Sequence, residues 1–189
     1  MKILLTFLIL IFGFSTFSMA QSQFIEKGKA GALMLGSFGG SKFGNSYGLG
    51  MGFSIAGVVD IGFSVAQSNS TERKGNETAV TEVFTNIFLS KTKGYLAANI
   101  AYVADESTGY TAIGFCFGKN YVLSNTFQLQ PILSYHLLLL SGFQLSMLTS
   151  SIGLSLDLLI SNHFVISPGF GYTNNVLIGE LSIGILISS

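Results

Sequence analysis

The chain has 189 residues with nine basic and nine acidic side chains, a formal charge of zero, and a composition that is 49% hydrophobic and only 10% charged. No basic stripe is available to hold a phosphate backbone, which excludes nucleic acid as a partner. A water-soluble fold is disfavoured too, because so few charges could not cover that much apolar surface.

Residues 1–20 read as a signal peptide. Lys2 gives a basic start, Ile3 through Phe14 form an apolar core, and Ser18, Met19 and Ala20 supply small residues for cleavage before Gln21. The apolar core is shorter than the roughly 20 residues a spanning helix needs. Residues 21–28 follow as a short periplasmic segment, and residues 29–189 as one domain. Cys116, the only cysteine, allows no intramolecular disulfide, and none lies near the cleavage point to take a lipid.

Residues 29–39 form a first strand. From Tyr47 to Val65 large and very small residues alternate, with one break at Ala56, Gly57 and Val58. Tyr47, Leu49, Met51, Phe53, then Val59, Ile61, Phe63 and Val65 make one face; Gly48, Gly50, Gly52, Ser54, then Asp60, Gly62, Ser64 and Ala66 make the other. A period of two is a pleated strand, so this is a hairpin. Its small face lacks the Lys, Glu, Thr and Arg that water would demand. The pattern suits large residues turned to lipid and small ones turned to a crowded or water-filled interior. Residues 67–78 are the most polar stretch and carry the only arginine, Arg73. They read as a solvated loop, with Glu72, Arg73, Lys74, Asn76 and Glu77 as candidates for contact with the surroundings.

Further strands follow between polar turns. Residues 80–90 place Glu82 and Asn86 opposite Val83, Ile87 and Leu89. Residues 95–103 put Leu96, Ala98, Ile100 and Tyr102 on one face and Asn99 on the other. After residues 110–118 comes 127–136, where Gln128, Gln130, Ser134 and His136 share a face. Residues 148–158 set Asp157 opposite a leucine-rich face, 164–172 set Ser167 opposite Phe170, and 181–187 turn four aliphatic residues away from Glu180.

The sum is about ten strands, an even number as expected when both termini of an outer-membrane barrel lie in the periplasm. The long 67–78 connection then falls outside. Aromatics gather at two levels: Phe43, Tyr47, Tyr102, Tyr110, Phe143 and Tyr172 at the outer rim, and Phe88, Tyr95, Phe117, Phe127 and Phe164 at the inner one. On this pattern the chain resembles the small outer-membrane β-barrel proteins of Gram-negative bacteria, the class of the OmpA-like and OmpX-like barrels. The resemblance covers the whole mature chain. It implies an all-β, closed, antiparallel up-and-down transmembrane barrel in the outer membrane, with outer-membrane lipids and the barrel-assembly machinery as partners. Two features depart from it: the chain ends Ile187, Ser188, Ser189 where such barrels carry a terminal aromatic residue, and Pro131 and Pro168 fall within expected strands. Bulges at the prolines are one expectation.

A helical inner-membrane protein is the rival suggested by apolar runs such as Leu137 through Leu140. Alternate glycines cost a helix roughly 1 kcal/mol each and make no helical stripe. A secreted lipocalin-like barrel would leave glycine and serine as its wet surface.

Residues that carry chemistry are sparse. The interior-facing candidates are Asp60, Glu82, Asn86, Asn99, Gln128, Gln130, Ser134, His136, Asp157 and Glu180. A Ser–His pair such as Ser134 and His136 can support acyl transfer in principle. No carboxylate is placed by the sequence to orient the histidine, so the pair reads as interior filling, while His163 sits in a turn. Asp60 and Asp157 are expected near the inner rim, among Lys29, Lys91, Lys93 and Lys119, as ion pairs. Glu82 and Glu180 read as interior polar contacts. No cluster has metal-ligand spacing, and the Gly48, Gly50, Gly52 series is no phosphate loop because no helix follows it. No cofactor and no catalytic residue is expected. The sequons at Asn69 and Asn76 matter only in a eukaryotic secretory pathway.

Barrels near eight strands are just filled by side chains, and open channels belong to much wider ones. The expected role is therefore structural or surface-interacting and non-enzymatic. A narrow pore or small-ligand conduit is the alternative encouraged by small inward residues. A lipid-modifying enzyme resembling the lipid A deacylases or acyltransferases is a third, whose active residues are not recognisable in this chain. If Gly48, Gly50, Gly52, Gly62, Gly153, Gly169 and Gly171 all line the interior, it is either roomy or filled, with residues 21–28 as the candidate filling.

Overall fold

Short turns between strands of one common pattern favour pairing with the chain neighbour. In the computed structural model, which describes residues 24–42, 44–70, 77–90, 94–105, 109–140, 149–173 and 175–188, that pairing runs the full circle. The strands are β1 (Gly31–Ser41), β2 (Gly44–Ile55), β3 (Val59–Ser70), β4 (Glu77–Ser90), β5 (Tyr95–Asp105), β6 (Gly109–Gly118), β7 (Tyr121–Ser124), β8 (Phe127–Leu140), β9 (Thr149–Ile160), β10 (Phe164–Thr173) and β11 (Val176–Ser188). All pairs are antiparallel, β1 closes on β11, and β6 pairs with β8. β7 continues β6 against β8 in the same register, with Gly118 opposite Ile132 and Tyr121 opposite Leu129. The wall is thus a closed barrel of ten strands in meander order. The expected signal peptide, Gln21 through Gln23, Phe43, Phe143, Lys91, Lys93 and the loop residues Glu72, Arg73, Lys74 and Asn76 lie outside the described residues, as does the side chain of Glu77.

Tight turns sit at the end that carries both termini. Ala56 and Gly57 have φ of 53° and 59°, and Ser161 and Asn162 have 51° and 60°. Two consecutive residues with positive φ make the turn whose twist matches paired strands, so each hairpin closes without splaying. Val58 N–H donates to the Ile55 carbonyl at 3.0 Å and His163 N–H to that of Ile160 at 3.1 Å.

The strands outrun the sequence reading at their far ends. Gln67 through Ser70 and Glu77 through Ser90 are strand, because Gln67 pairs with Ala79 and Asn69 with Glu77; the polar loop between them is shorter than residues 67–78. Gly40, Ser41, Gly44 and Asn45 likewise belong to β1 and β2. Polar side chains do not end a ladder whose backbone groups keep finding partners.

Neither proline makes a bulge. Pro131 keeps its register opposite Leu156 and lies beside the break between β6 and β7, where only its carbonyl is used, by Lys119 N–H. Pro168 falls where the β9–β10 ladder skips a step between Ile166 and Gly169 with its register unchanged. A missing N–H is tolerated where the neighbouring strand does not call on it.

Parity then decides the two surfaces. Large apolar residues at every second position point out and are exposed, among them Leu49 at 73%, Phe170 at 61% and Val83 at 53%. Their alternates point in and are buried. Such an exterior belongs in hydrocarbon. The rim aromatics are corrected by the same rule: Tyr47, Tyr102, Phe117, Phe164 and Tyr172 face out, whereas Phe88, Tyr95 and Tyr110 share parity with Asn86, Asn99 and Ala112 and are buried inside; Phe127 is half-buried.

Candidate functional site: the barrel interior

A barrel of tilted strands turns each line of ladder partners into a spiral up its wall. One such line carries half of the buried polar side chains among the described residues. It leaves Gly31 near the termini and runs through Ser54, Asp60, Asn86, Asn99, Gly114, His136, Ser151 and Thr173 to Val176 near the opposite end. Asn99 Nδ2 donates to Asn86 Oδ1 at 2.7 Å. Within the line Gly114 carries no side chain, and a Cβ there would lie 2.1 Å from the His136 ring. The imidazole occupies the gap.

On β4 through β6 this polar line is flanked by apolar rows. Val80, Phe84, Ala101, Val103, Tyr110 and Ala112 cluster on one side of it. Phe88, Tyr95, Ala97 and Cys116, with Ile132 of β8, cluster on the other. The rings of Phe88 and Tyr95 are tilted at a centroid distance of 5.5 Å.

Glycines make this packing possible. A Cβ on Gly62 would fall 2.3 Å from Phe84 Cζ, one on Gly118 2.2 Å from the Tyr95 ring, and one on Gly184 2.4 Å from Leu35. In these three pairs a large inward residue lies over a neighbour's glycine, the small-beside-large filling of narrow barrels. At the terminal end the chain closes the lumen itself. Ile25, 3% exposed, packs against Leu33, Leu35, Leu159, Val165 and Leu186, with Phe24 beside it. Gly28 N–H bonds to the Ala56 carbonyl at 2.9 Å, and Glu26 pairs with Lys29 at 2.9 Å on the exposed side. Gly57 permits the approach, since a Cβ there would stand 2.4 Å from the Glu26 carbonyl oxygen. Most described inward residues are buried, with Ser37, Ser46, Gly48 and Gly50 of β1 and β2 half-buried, and Ile25 packs into the barrel at one mouth.

Of the interior candidates, Asp60, Glu82, Asn86, Asn99, Gln130, Ser134, His136 and Asp157 are all buried and inward. Gln128 is at the terminal rim, where its Oε1 accepts from Asn120 Nδ2 at 2.8 Å. Glu180 is half-buried and accepts from Ser182 Oγ at 3.3 Å. Asp60 and Asp157 are within the barrel, at 0% and 1% exposure, and Asp157 accepts a short hydrogen bond from Ser167; of the lysines expected beside them, Lys91 and Lys93 lie outside the described residues. Glu82 accepts from Ser64 Oγ at 3.1 Å. His163 is tied to β11, its Nδ1 being 3.2 Å from the Leu186 carbonyl. Ser134 and His136 share the inward face with no hydrogen bond between them, and no metal-binding group of His, Cys, Asp or Glu occurs among the described residues.

Ser54, Ser64, Ser167, Ser182 and Thr173 were not singled out by sequence, although their parity with Asp60, Glu82 and Asp157 marks them as inward. The Gln130 amide and the hydroxyls of Tyr95, Ser54 and Ser68 are buried without a hydrogen-bond partner among the described residues.

No protein-family model matches the chain, and no curated protein does. Among solved structures, it is similar to the KdgM porin in complex with disordered oligogalacturonate, at a TM-score of 0.52 and 8% identity over 81% of this chain and 98% of that one. A second structure of the KdgM porin scores 0.48 with the same identity and coverage. The N-terminal β-barrel domain of Pseudomonas aeruginosa OprF scores 0.42 at 10% identity, over 83% of this chain and 97% of that one. At these identities the likeness is one of fold: the chain is built like outer-membrane β-barrels.

Proposed function

We propose that the protein is an integral outer-membrane barrel, non-enzymatic and closed to solutes, with a structural or surface-interacting role. The observation that supports this is the burial of inward side chains around the wall. Leu33, Asp60, Glu82, Asn99, Gln130 and Val165 come from six strands around the wall and none is more than 2% exposed. Water-lined pores need interior side chains in contact with solvent, and ten strands stand nearer the filled eight-stranded barrels than the channels of sixteen or more. Outer-membrane lipids and the barrel-assembly machinery are the partners this role requires, and the loop at residues 71–76 is the candidate surface contact.

The similarity to a porin keeps a second reading in view, a narrow conduit. Uptake of an acidic oligosaccharide, the ligand in that porin's structure, calls for cations along the path. Here the described inward charges are the carboxylates Asp60, Glu82, Asp157 and Glu180, without lysine or arginine. Purified protein in planar bilayers decides between the readings. Folded barrels that give no single-channel steps are expected, and reproducible conductance would sink the closed reading. An unchanged lipid A mass spectrum on deletion and overexpression is expected of a barrel without lipid-modifying activity.

A further inference from the structure

The outward face is convex and covered by large apolar side chains, with a recess on β1. There the outward series runs Ala32, Met34, Gly36, Phe38, and Gly36 stands between Leu49 of β2 and Ile183 of β11. The result is an apolar groove of about 740 Å³, floored by Gly36 and walled by Phe38, Tyr47, Leu49, Val65 and Ile183. That volume falls among the roughly 300–1,000 Å³ of clefts that hold small ligands. Its polar feature is the Tyr47 hydroxyl, which donates to Gln67 Oε1 at 2.6 Å.

We propose that this groove seats one acyl chain of a membrane lipid at a fixed position, with the Tyr47–Gln67 pair beside the chain's polar end. The inference rests on reading the exterior as lipid-facing. The groove is continuous with that face on both sides, so hydrocarbon is what covers it. Its floor is backbone, and a chain of methylenes can lie along it. A second barrel would offer a convex wall, which meets the flanking Phe38 and Leu49 before it reaches Gly36. Tyr47 and Gln67 give the one end of the recess where a lipid's carbonyl finds polar company.

Gly36 supplies the test. A Cβ there would stand 3.8 Å from Leu49 and 3.9 Å from the Ile183 carbonyl, so Gly36→Ala fits and Gly36→Leu fills the groove from outside the wall. Because the chain has no tryptophan, Ile185→Trp beside the groove and Phe115→Trp on a distant strand each give a single reporter. The barrels are folded into phosphatidylcholine vesicles doped with a phosphatidylcholine brominated on its acyl chains, and folding is checked by the heat-modifiable gel shift. At the same bromolipid fraction, quenching at Ile185→Trp is expected to be about twofold stronger than at Phe115→Trp, because a chain held in the groove stays in contact with the first reporter. Gly36→Leu should abolish the difference and Gly36→Ala reduce it. Identical curves for the two reporters would overturn the proposal. So would a chemically cross-linked dimer that Gly36→Leu dissolves, since the occupant would then be a second copy. Conductance reads the inside of the barrel, so its appearance would end the closed reading and leave this one standing.

Discussion

Gly62 and Phe84 offer the sharpest test that the interior is packed. An alanine at 62 would bring its methyl to 2.3 Å from Phe84 Cζ and 2.7 Å from the Met51 carbonyl. The ring cannot simply swing away, because Phe84 is 2% exposed and held among Val80, Ala101, Val103, Tyr110 and Ala112. Forcing a methylene-sized group into such a site costs about 1–3 kcal/mol. Phe84→Ala alone should cost about 3–5 kcal/mol through lost burial and the cavity left behind. In that background the ring no longer opposes Gly62→Ala, and only the 2.7 Å approach to the Met51 carbonyl remains against it. The double variant should therefore be more stable than the sum of the singles by about 1–3 kcal/mol. Urea titration of barrels folded in vesicles, read by the folded band on unheated gels, measures all four corners of the cycle. Additivity within about 0.5 kcal/mol would refute the reasoning, since a ring with open lumen to move into has no reason to couple to residue 62.

Cys116 is 2% exposed and inward on β6. A small charged methanethiosulfonate is expected to leave it unmodified in the folded barrel and to react fully in urea; labelling in the folded state would mean water along that wall. Ile25→Ala should undock the N-terminal segment by weakening a burial worth about 1.5–3 kcal/mol, so trypsin should cut after Lys27 and Lys29 roughly tenfold faster or more. An unchanged cleavage rate would show that Ile25 does not hold the segment. Gln130→Leu has a sign to report. A buried amide without partners costs about 1–3 kcal/mol, and its removal should raise the urea midpoint. A lower midpoint would place solvent at Gln130.

The sequence made the wall legible because strand parity is a local property. Once Val59, Ile61, Phe63 and Val65 are known to share a face, Asp60, Ser64 and their partners on β4 follow. Parity was also the signal overlooked for Phe88, Tyr95 and Tyr110, whose aromatic character suggested a membrane rim while their positions pointed inward. What parity cannot give is the height of a residue on the wall. That is set by register between strands, and burial at a given height depends on what covers it: Asp60 adjoins the turn between Ile55 and Val59 and is still 0% exposed. Strand ends were misjudged for a related reason: Gln67, Ser68 and Asn69 look like loop, but a partner on β4 is available to each.

Glycine facing inward suggested room, and the structure assigns it the opposite use. A ten-stranded wall encloses more space than its own small residues can fill, so large residues must reach into it from some positions. Several of the inward rings enter where the neighbouring strand has no Cβ. Phe84 needs Gly62, His136 needs Gly114 and Tyr95 needs Gly118, each pair straddling adjacent strands. The same absence has a different effect on the outside. Gly36 has no neighbouring ring to receive, its nearest side-chain atom standing 3.8 Å away, and so leaves the groove open to lipid. Whether a barrel glycine closes space or creates it is therefore decided by what its cross-strand neighbours carry on the same face. This is why the interior of a glycine-rich barrel can be solid while its exterior holds a recess.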